Sequence, residues 1–185
     1  MTKPDRTVNL LGAFALAVAD RTSSIVESTA GMSPSAVSAL SALRHFLDRP
    51  SLDVLRRVLG LTPSGAVRLV DRLAEAGLVM RGSGGDGRTR SVTLTAKGRR
   101  VADQISQVRA EALDAALDGL SPTERDTLHE LMGRVMDTIV RDKLGGAWIC
   151  RQCDIAACGR AEGHCPVANS AMKYAAGRRS AAGDA

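Results

Sequence analysis

The sequence predicts a mainly helical protein with one small β-hairpin, and three observations support this fold class. Apolar residues make up 44% of the 185-residue chain but aromatic residues only 2%, so the core must be built from Leu, Val, Ile and Ala. An Ala- and Leu-rich composition favours helix. Apolar residues recur along most of the chain with the period of a helix, whereas one short stretch, 78–95, alternates as a strand does.

The first two helices are predicted from periodicity and from the residues at their ends. An apolar stripe predicts a first helix over 6–30. Ser33 then supplies a helix cap and Pro34 a first-turn proline, which together mark the start of a second helix running to about residue 47.

Two short helices follow with a tight turn between them. Ser51 caps the third helix, which ends at Gly60, and Thr62 caps the fourth, which spans 63–76. The predicted buried residues of the fourth helix are Val67, Val70, Leu73 and Ala74. Two short helices joined through a glycine-containing turn indicate a helix-turn-helix.

A strand-like pair comes directly after the helix-turn-helix. Residues 78–81 and 90–95 read as strands, and the glycine-rich stretch 82–87 reads as the turn between them. A hairpin in this position is a wing, so the predicted fold class becomes a winged helix-turn-helix.

The last two predicted helices carry the longest apolar stripe of the chain. Thr95 caps a fifth helix over 96–118, and a capping box at 121–124 opens a sixth that reaches about residue 143. The stripe of the sixth helix consists of Leu128, Leu131, Met132, Val135, Met136, Ile139 and Val140. Because few other elements are left to cover it, helices one, five and six are predicted to form a homodimer interface, the alternative being packing within one subunit.

A set of small, hydroxyl and basic side chains predicts binding to double-stranded DNA. A net charge of +5 and a pI of about 9.4 suit a polyanionic partner. Candidate contacts from the fourth helix are Thr62, Ser64, Gly65, Arg68 and Arg72, and those from the wing are Arg81, Asp86, Arg88 and Arg90. Small residues let a helix start approach phosphate, and arginines can reach guanine edges or a narrow minor groove.

The order and spacing of several motifs resemble the MarR family (multiple antibiotic resistance regulators). The motifs are Gly60–Leu73, Gly77–Val79, Asp86–Arg88, Val92–Gly98 and Leu120–Pro122, and the similarity covers about residues 8–143. The resemblance implies a dimeric transcriptional regulator rather than an enzyme. Its fourth helix would enter a major groove and its wing would lie over the adjacent minor groove of a palindromic operator.

The resemblance also assigns roles to individual residues. Arg88 matches the arginine at the wing tip, and Asp86 matches the acidic residue that supports it. Ser64, Arg68 and Arg72 match the contacts made by the recognition helix.

Four cysteines near the C-terminus are the feature that the family pattern does not explain. Cys150, Cys153, Cys158 and Cys165 lie within sixteen residues and are called here the cysteine cluster. Four thiolates so close in sequence predict one metal centre per chain, either zinc or iron–sulfur. A metal-free redox switch and inert cysteines are the alternatives, while a catalytic dithiol would need a thioredoxin-like βαβ pattern that the sequence lacks.

The sequence therefore divides into five predicted parts. These are a dimerisation helix at 1–32, a winged helix-turn-helix at 33–98, dimerisation helices at 99–145, a metal-binding segment at 146–167 and a flexible tail at 168–185. The apolar N-terminal stretch is followed by no clear signal-peptide cleavage site, and no apolar run reaches the length of a membrane span, so we expect a cytoplasmic protein.

We expect a DNA-binding regulator, a repressor on a palindromic operator, that responds to metal or redox state through the cysteine cluster. The alternative is a repressor with structural zinc and a small-molecule effector. A thiol-redox or electron-transfer protein is the third interpretation.

Overall fold

The computed structural model describes residues 5–83, 90–142 and 146–183. Within them the helices and strands are α1 (Arg6–Ala30), α2 (Pro34–His45), α3 (Leu52–Leu59), α4 (Pro63–Glu75), β1 (Val79–Ser83), β2 (Arg90–Leu94), α5 (Ala96–Ala115), α6 (Pro122–Asp142) and α7 (Pro166–Gly183). Two short 3₁₀ turns, Gly146–Trp148 and Cys150–Gln152, lie between α6 and α7. The predicted fold class, mainly α with a small β-hairpin, is confirmed.

Four helices begin where the sequence placed their caps. The side chains of Ser33, Ser51, Thr62 and Thr95 each accept a hydrogen bond, at 2.9–3.4 Å, from the amide three residues later. Such a bond satisfies one of the backbone donors that a helix start leaves open. The starts of α2, α3, α4 and α5 are therefore fixed by local chemistry.

The main core is shared by the helix-turn-helix, the hairpin and α5. Its most deeply buried large side chains are Leu40 of α2, Leu55 of α3, Val70 of α4, Val92 of β2 and Ile105 of α5. We call α2–α4 with the hairpin the reading head. Because Ile105 is in the same core, α5 carries the reading head rigidly rather than through a flexible linker.

The hairpin is held on the reading head by backbone contacts. β1 and β2 pair antiparallel with Val79 opposite Leu94. The amide of Val92 also donates to the carbonyl of Pro50 at 2.9 Å, which ties β2 to the connection between α2 and α3. The predicted wing is thus present, and its tip at 84–89 lies outside the described residues.

The buried face of α4 differs from the predicted one. Val67, expected in the core, is 41% exposed, whereas Ala66 and Leu69 are buried beside Val70 and Leu73. The buried positions follow the spacing of a helix face, and Val67 lies one position outside that face. Hydrophobicity alone had placed Val67 in the core.

The expected flexible tail at 168–185 is also corrected, because most of it is helix α7. Val167 packs beside Val140 of α6 in a second apolar cluster. On the same side, Ser170 and Tyr174 donate to the Asp137 carboxylate at 2.5 and 2.9 Å. An Ala-rich segment has high helix propensity, and packing on α6 supplies the stability that an isolated helix lacks.

Two helices leave broad apolar faces uncovered in the single chain. On α1 the exposed residues include Leu11 and Phe14, which are 50% and 48% exposed. On α6, Leu131, Met132, Val135 and Ile139 are at least 40% exposed. None of the helices in the described ranges combines the length and apolar character required to cross a bilayer.

Candidate nucleic-acid interface and cysteine cluster

The start of α4 is shaped by its cap. The Gly65 amide donates to Thr62 Oγ1 at 3.1 Å, and the Ser64 hydroxyl lies 3.5 Å from the same oxygen. A Cβ on Gly65 would stand 2.9 Å from Thr62 Oγ1, so the cap itself requires a small residue there. The first turn remains exposed, but Pro63 has no N–H and the Ala66 amide donates to the Thr62 carbonyl at 3.0 Å, so the Ser64 amide and the helix dipole are what the turn offers to a phosphate.

One face of α4 presents a mixed surface to solvent. Thr62, Ser64, Val67, Arg68 and Arg72 are all exposed on this helix. In the part of the chain that the structure describes, neither Arg68 nor Arg72 forms an ion pair. Both guanidinium groups are therefore available to a partner, and the exposed methyl groups of Val67 lie between polar neighbours.

The wing residues have different surroundings. Arg81 of β1 is bound at 2.6 Å to the carboxylate of Asp71 on α4, which joins the base of the wing to the recognition helix. Arg90 begins β2, opposite Ser83. Asp86 and Arg88, the predicted wing-tip pair, lie outside the described residues. Contacts of all four with DNA stay predictions.

The four cysteines of the cysteine cluster meet in one apolar cluster. Cys150 and Cys165 are buried in it, and Cys153 and Cys158 pack against it. The thiols of Cys153 and Cys158 donate to backbone carbonyls of their own segment at 4.0 and 3.4 Å. All four are free thiols, and no three His, Cys, Asp or Glu side chains in the described ranges already stand at the spacing of bound metal ligands.

The sulfurs differ in their proton affinity because of these contacts. The hydrogen bond from Cys150, aided by the charges of Arg109 and Arg151, lowers the pKa of Cys153. The same bond, together with burial, raises the pKa of Cys150. Burial, aided by the hydrogen bond with Cys165, raises the pKa of Cys158. The Cys153 sulfur is therefore the one of the four that most readily becomes a thiolate.

Arg109 of α5 is a basic residue placed among buried groups. Its Nε atom is buried and has no hydrogen-bond partner within the described residues. Burial lowers the pKa of Arg109, and the negative charge of Cys153 opposes that shift. A partly buried guanidinium is stabilised by a nearby negative charge, and a thiolate at Cys153 would provide one.

The cysteine-bearing segment packs on the reading head. Gln152 donates to the hydroxyl of Ser38, a buried residue of α2, at 2.7 Å. Arg160 lies over the Phe46 ring at 5.2 Å from its centroid. His45, at the end of α2, is 3.9 Å from Asp154 of the segment. The segment thus reaches α2 of the reading head directly, across the fold from its place in the sequence after α6.

Sequence reasoning missed three residues of these sites. Arg109 follows Ile105 by one helical turn on a partly buried face of α5. A single charged residue on an apolar helix face indicates a partner of opposite charge, so this residue could have been found from the sequence. Asp71 and Gln152 gave no such sign, because their partners lie on other elements and are brought together only by the fold.

Comparison with known proteins identifies the fold. The MarR family model matches residues 30–89. A MarR family protein from Bacillus stearothermophilus is 22% identical with a TM-score of 0.65, over 75% of this chain and 99% of that one. A MarR family transcriptional regulator from Silicibacter pomeroyi is 24% identical with a TM-score of 0.56, over 68% and 87%.

A third similar structure was solved with a ligand. CouR from Rhodococcus jostii RHA1, bound to p-coumaroyl-CoA, is 23% identical with a TM-score of 0.54, over 71% of this chain and 91% of that one. At these identities the structural likenesses establish the fold. The predicted resemblance to the MarR winged helix-turn-helix is confirmed, and the family match ends well before the cysteine cluster.

Proposed function

We infer, from the MarR-family domain at residues 30–89, that this protein is a DNA-binding transcriptional regulator that acts in the cytoplasm as a homodimer. The observation that carries the inference is the exposed face of α4, where Arg68 and Arg72 project beside a helix start that attracts phosphate. A hairpin fixed to the same core provides the second contact.

The proposed reading mode assigns each element to a groove. α4 lies in the major groove, where Arg68 and Arg72 reach guanine edges or phosphates, and the exposed Val67 contacts a thymine methyl group. The wing lies over the adjacent minor groove, with Arg88 and Arg90 drawn to its negative potential. The Arg81–Asp71 ion pair keeps the two contacts at a constant separation.

The exposed apolar faces of α1 and α6 support the dimer. Leu11 and Phe14 on one helix and Leu131 and Val135 on the other are all at least 40% exposed. Large contiguous apolar surfaces are rare on monomers and mark interaction sites. A second copy of the chain offers the same faces, and a two-fold axis lets them cover one another.

A two-fold dimer carries two reading heads in opposite directions. We therefore propose a palindromic operator with half-sites about 10 base pairs apart, and repression by occupying promoter DNA. DNase footprinting on the DNA upstream of the gene measures the symmetry and spacing. A reporter driven by that promoter should rise in expression when the gene is deleted.

The first test is a gel shift with Arg68→Ala/Arg72→Ala protein on the same upstream DNA. We expect affinity to fall at least about 30-fold, because each arginine contact to a base contributes roughly 1–3 kcal/mol. If the two arginines bind phosphate instead, the slope of log affinity against log salt should also fall by about 1 for each arginine replaced.

Lys173→Ala is the matched control, since Lys173 is an exposed basic residue on α7, outside both the reading head and the proposed dimer interface. It should bind as wild type does. Wild-type affinity in the double variant, or equal losses in the double variant and the control, would contradict the assignment of α4 as the recognition helix.

We also propose that DNA affinity responds to the metal or redox state of the cysteine cluster. The support is the direct packing of the cysteine-bearing segment on α2 through Gln152 and Ser38. The alternative is a structural metal with a small-molecule effector, supported by CouR having been solved with p-coumaroyl-CoA. Release of DNA on oxidation or chelation favours the first, and release by an acyl-CoA favours the second.

A further inference from the structure

We propose that the cysteine cluster binds a single thiolate-ligated metal centre, zinc or an iron–sulfur cluster, that fastens the C-terminal segment onto α2 of the reading head. The metal site stands on the geometry of the cluster alone. Its effect on DNA binding rests on the proposed function.

The four candidate ligands are gathered in one place by the fold. Cys150 and Cys165 are buried in one apolar cluster, and Cys153 and Cys158 pack against the same cluster. Four thiolates are a complete tetrahedral set for zinc and the usual ligand set for an iron–sulfur cluster. Binding requires the thiols to lose their protons and the four sulfurs to move closer together around the metal.

The chain between the second pair of cysteines is turned back by two glycines. Gly159 and Gly163 have φ values of +60° and +76°, a conformation that L side chains rarely adopt. A Cβ on Gly159 would also stand 3.0 Å from the His164 side chain. The His164 amide donates to the Gly159 carbonyl at 2.8 Å, and the turns bring Cys165 into the apolar cluster that Cys158 also packs against, although six residues separate the two in sequence.

The surrounding charge fits a negatively charged centre. Four thiolates around Zn²⁺ leave a net negative charge, and iron–sulfur clusters with four thiolates are also anionic. Arg109 and Arg151 carry positive charge beside Cys153, and Arg160 does so beside Cys150, whereas Asp154 is an opposing charge beside Cys153. The Nε atom of Arg109 gives the clearest indication, because it is buried with no hydrogen-bond partner among the described residues and a thiolate centre would supply a negative charge beside it.

The cluster is also sheltered from water. Cys150 and Cys165 are each only 4% exposed and pack with Val140 and Val167, while Phe46 lies against the same group. An apolar shell restricts solvent access to metal-bound thiolates and sets the reactivity of the centre. The segment held there meets α2 through Gln152, so removing the metal would release this link to the reading head.

The test begins with full-length protein purified without oxygen. Zinc, iron and acid-labile sulfide are measured per chain, together with the visible spectrum. We expect either about one zinc in colourless protein or iron with matching sulfide in coloured protein. Protein that carries neither metal, with four thiols reacting or with disulfides in their place, overturns the proposal.

Variants then identify the ligands. Cys153→Ser and Cys165→Ser should each retain the metal at least about tenfold less well against a chelator, whereas the exposed neighbour His164→Ala should retain it as wild type does. Arg109→Gln should weaken retention by about tenfold, and Arg109→Lys should recover part of it. Metal retained in both serine variants, or released equally by His164→Ala, overturns the four-thiolate assignment.

A second measurement guards against variants that fail to fold. In zinc-containing wild-type protein, exchange for Co²⁺ should give thiolate-to-cobalt charge-transfer absorption, and in iron-containing protein the cluster absorption itself serves. A wild-type metal without either thiolate signature overturns the proposal.

Gel shifts on loaded and stripped protein separate this proposal from the function. Loss of DNA binding on metal removal supports the fastening of the reading head. If removing the metal leaves DNA binding unchanged, the metal does not fasten the C-terminal segment to the reading head, although the metal site itself still stands. Failure of every form to bind DNA contradicts the proposed function and leaves the metal content as measured.

Discussion

The close approach of α5 to the start of β1 makes Gly98 a sensitive position. An ideal Cβ on Gly98 would lie 1.9 Å from the carbonyl oxygen of Leu78, whereas real Cβ atoms essentially never approach within 3.0 Å. That oxygen already accepts the Thr95 amide at 3.0 Å and the Thr95 hydroxyl at 3.3 Å. In Gly98→Ala the helix and the strand must therefore separate by about 1 Å, which disturbs the cap of α5.

The expected cost combines three terms. Overpacking of this kind costs about 1–3 kcal/mol, and a weakened hydrogen bond to Leu78 costs about 1 kcal/mol. Alanine returns roughly 0.5–1 kcal/mol through its higher helix propensity. We expect a net loss of about 2 kcal/mol in the free energy of unfolding, or a fall in Tm of roughly 4–8 °C for a chain of this size.

Urea unfolding followed by far-UV circular dichroism measures the loss, with both proteins at one concentration because a dimer's stability depends on it. Gly119→Ala is the matched control, since a Cβ at Gly119 would meet nothing within 4 Å. It should stay within about 0.5 kcal/mol of wild type. A Gly98→Ala protein equally close to wild type would refute the argument that the wing is seated on α5 by backbone contact.

Two further predictions concern the exposed apolar face of α6 and the cap at the start of that helix. Leu131→Glu should convert the dimer to monomer in light scattering after size exclusion, because a charge would enter the apolar face of α6. Met172→Glu, at a residue 63% exposed on α7, should stay dimeric, and a dimeric Leu131→Glu protein would contradict the proposed interface. Ser121→Ala should lower the free energy of unfolding by about 1 kcal/mol. The reason is that the Ser121 hydroxyl and amide both donate to the Glu124 carboxylate at the start of α6, at 2.6 and 2.9 Å. Those bonds lower the pKa of the Glu124 carboxylate below its usual 4.5. Its contribution to the free energy of unfolding is therefore complete above the usual pKa and is lost as the pH falls through the lower pKa of the folded state. Glu124→Gln should flatten this part of the stability profile, and an unchanged profile would count against the capping box.

Local chemistry was readable from the sequence wherever one residue acts on its near neighbours. Ser33, Thr62 and Thr95 cap helices through amides three residues away, so the predicted starts agree with the structure. Val67 was assigned to the wrong face because its hydrophobicity is compatible with either burial or exposure at the edge of a helical stripe. The choice is made by the neighbouring helices and not by α4 itself.

Contacts between distant segments were not predictable in the same way. Small and basic residues predict a flexible tail over 168–185, whereas the structure has helix α7 there, held by its partner Asp137 on another helix. The four cysteines were identified from spacing alone, but their basic neighbour Arg109 comes from α5. Pairings of this kind depend on how the elements meet, which the spacing of residues along one element does not determine.

The hydrogen bond between Gln152 and Ser38 joins residues 114 positions apart, which has a consequence for synthesis. A ribosome releases the helix-turn-helix and hairpin before the cysteines, at about 5–20 residues per second. The nascent chain would therefore expose an unoccupied face of α2 for several seconds before the late segment arrives. Closing so long a loop carries an entropic cost that local helix contacts do not. The cysteine segment thus docks late, on a helix-turn-helix and hairpin that are already made.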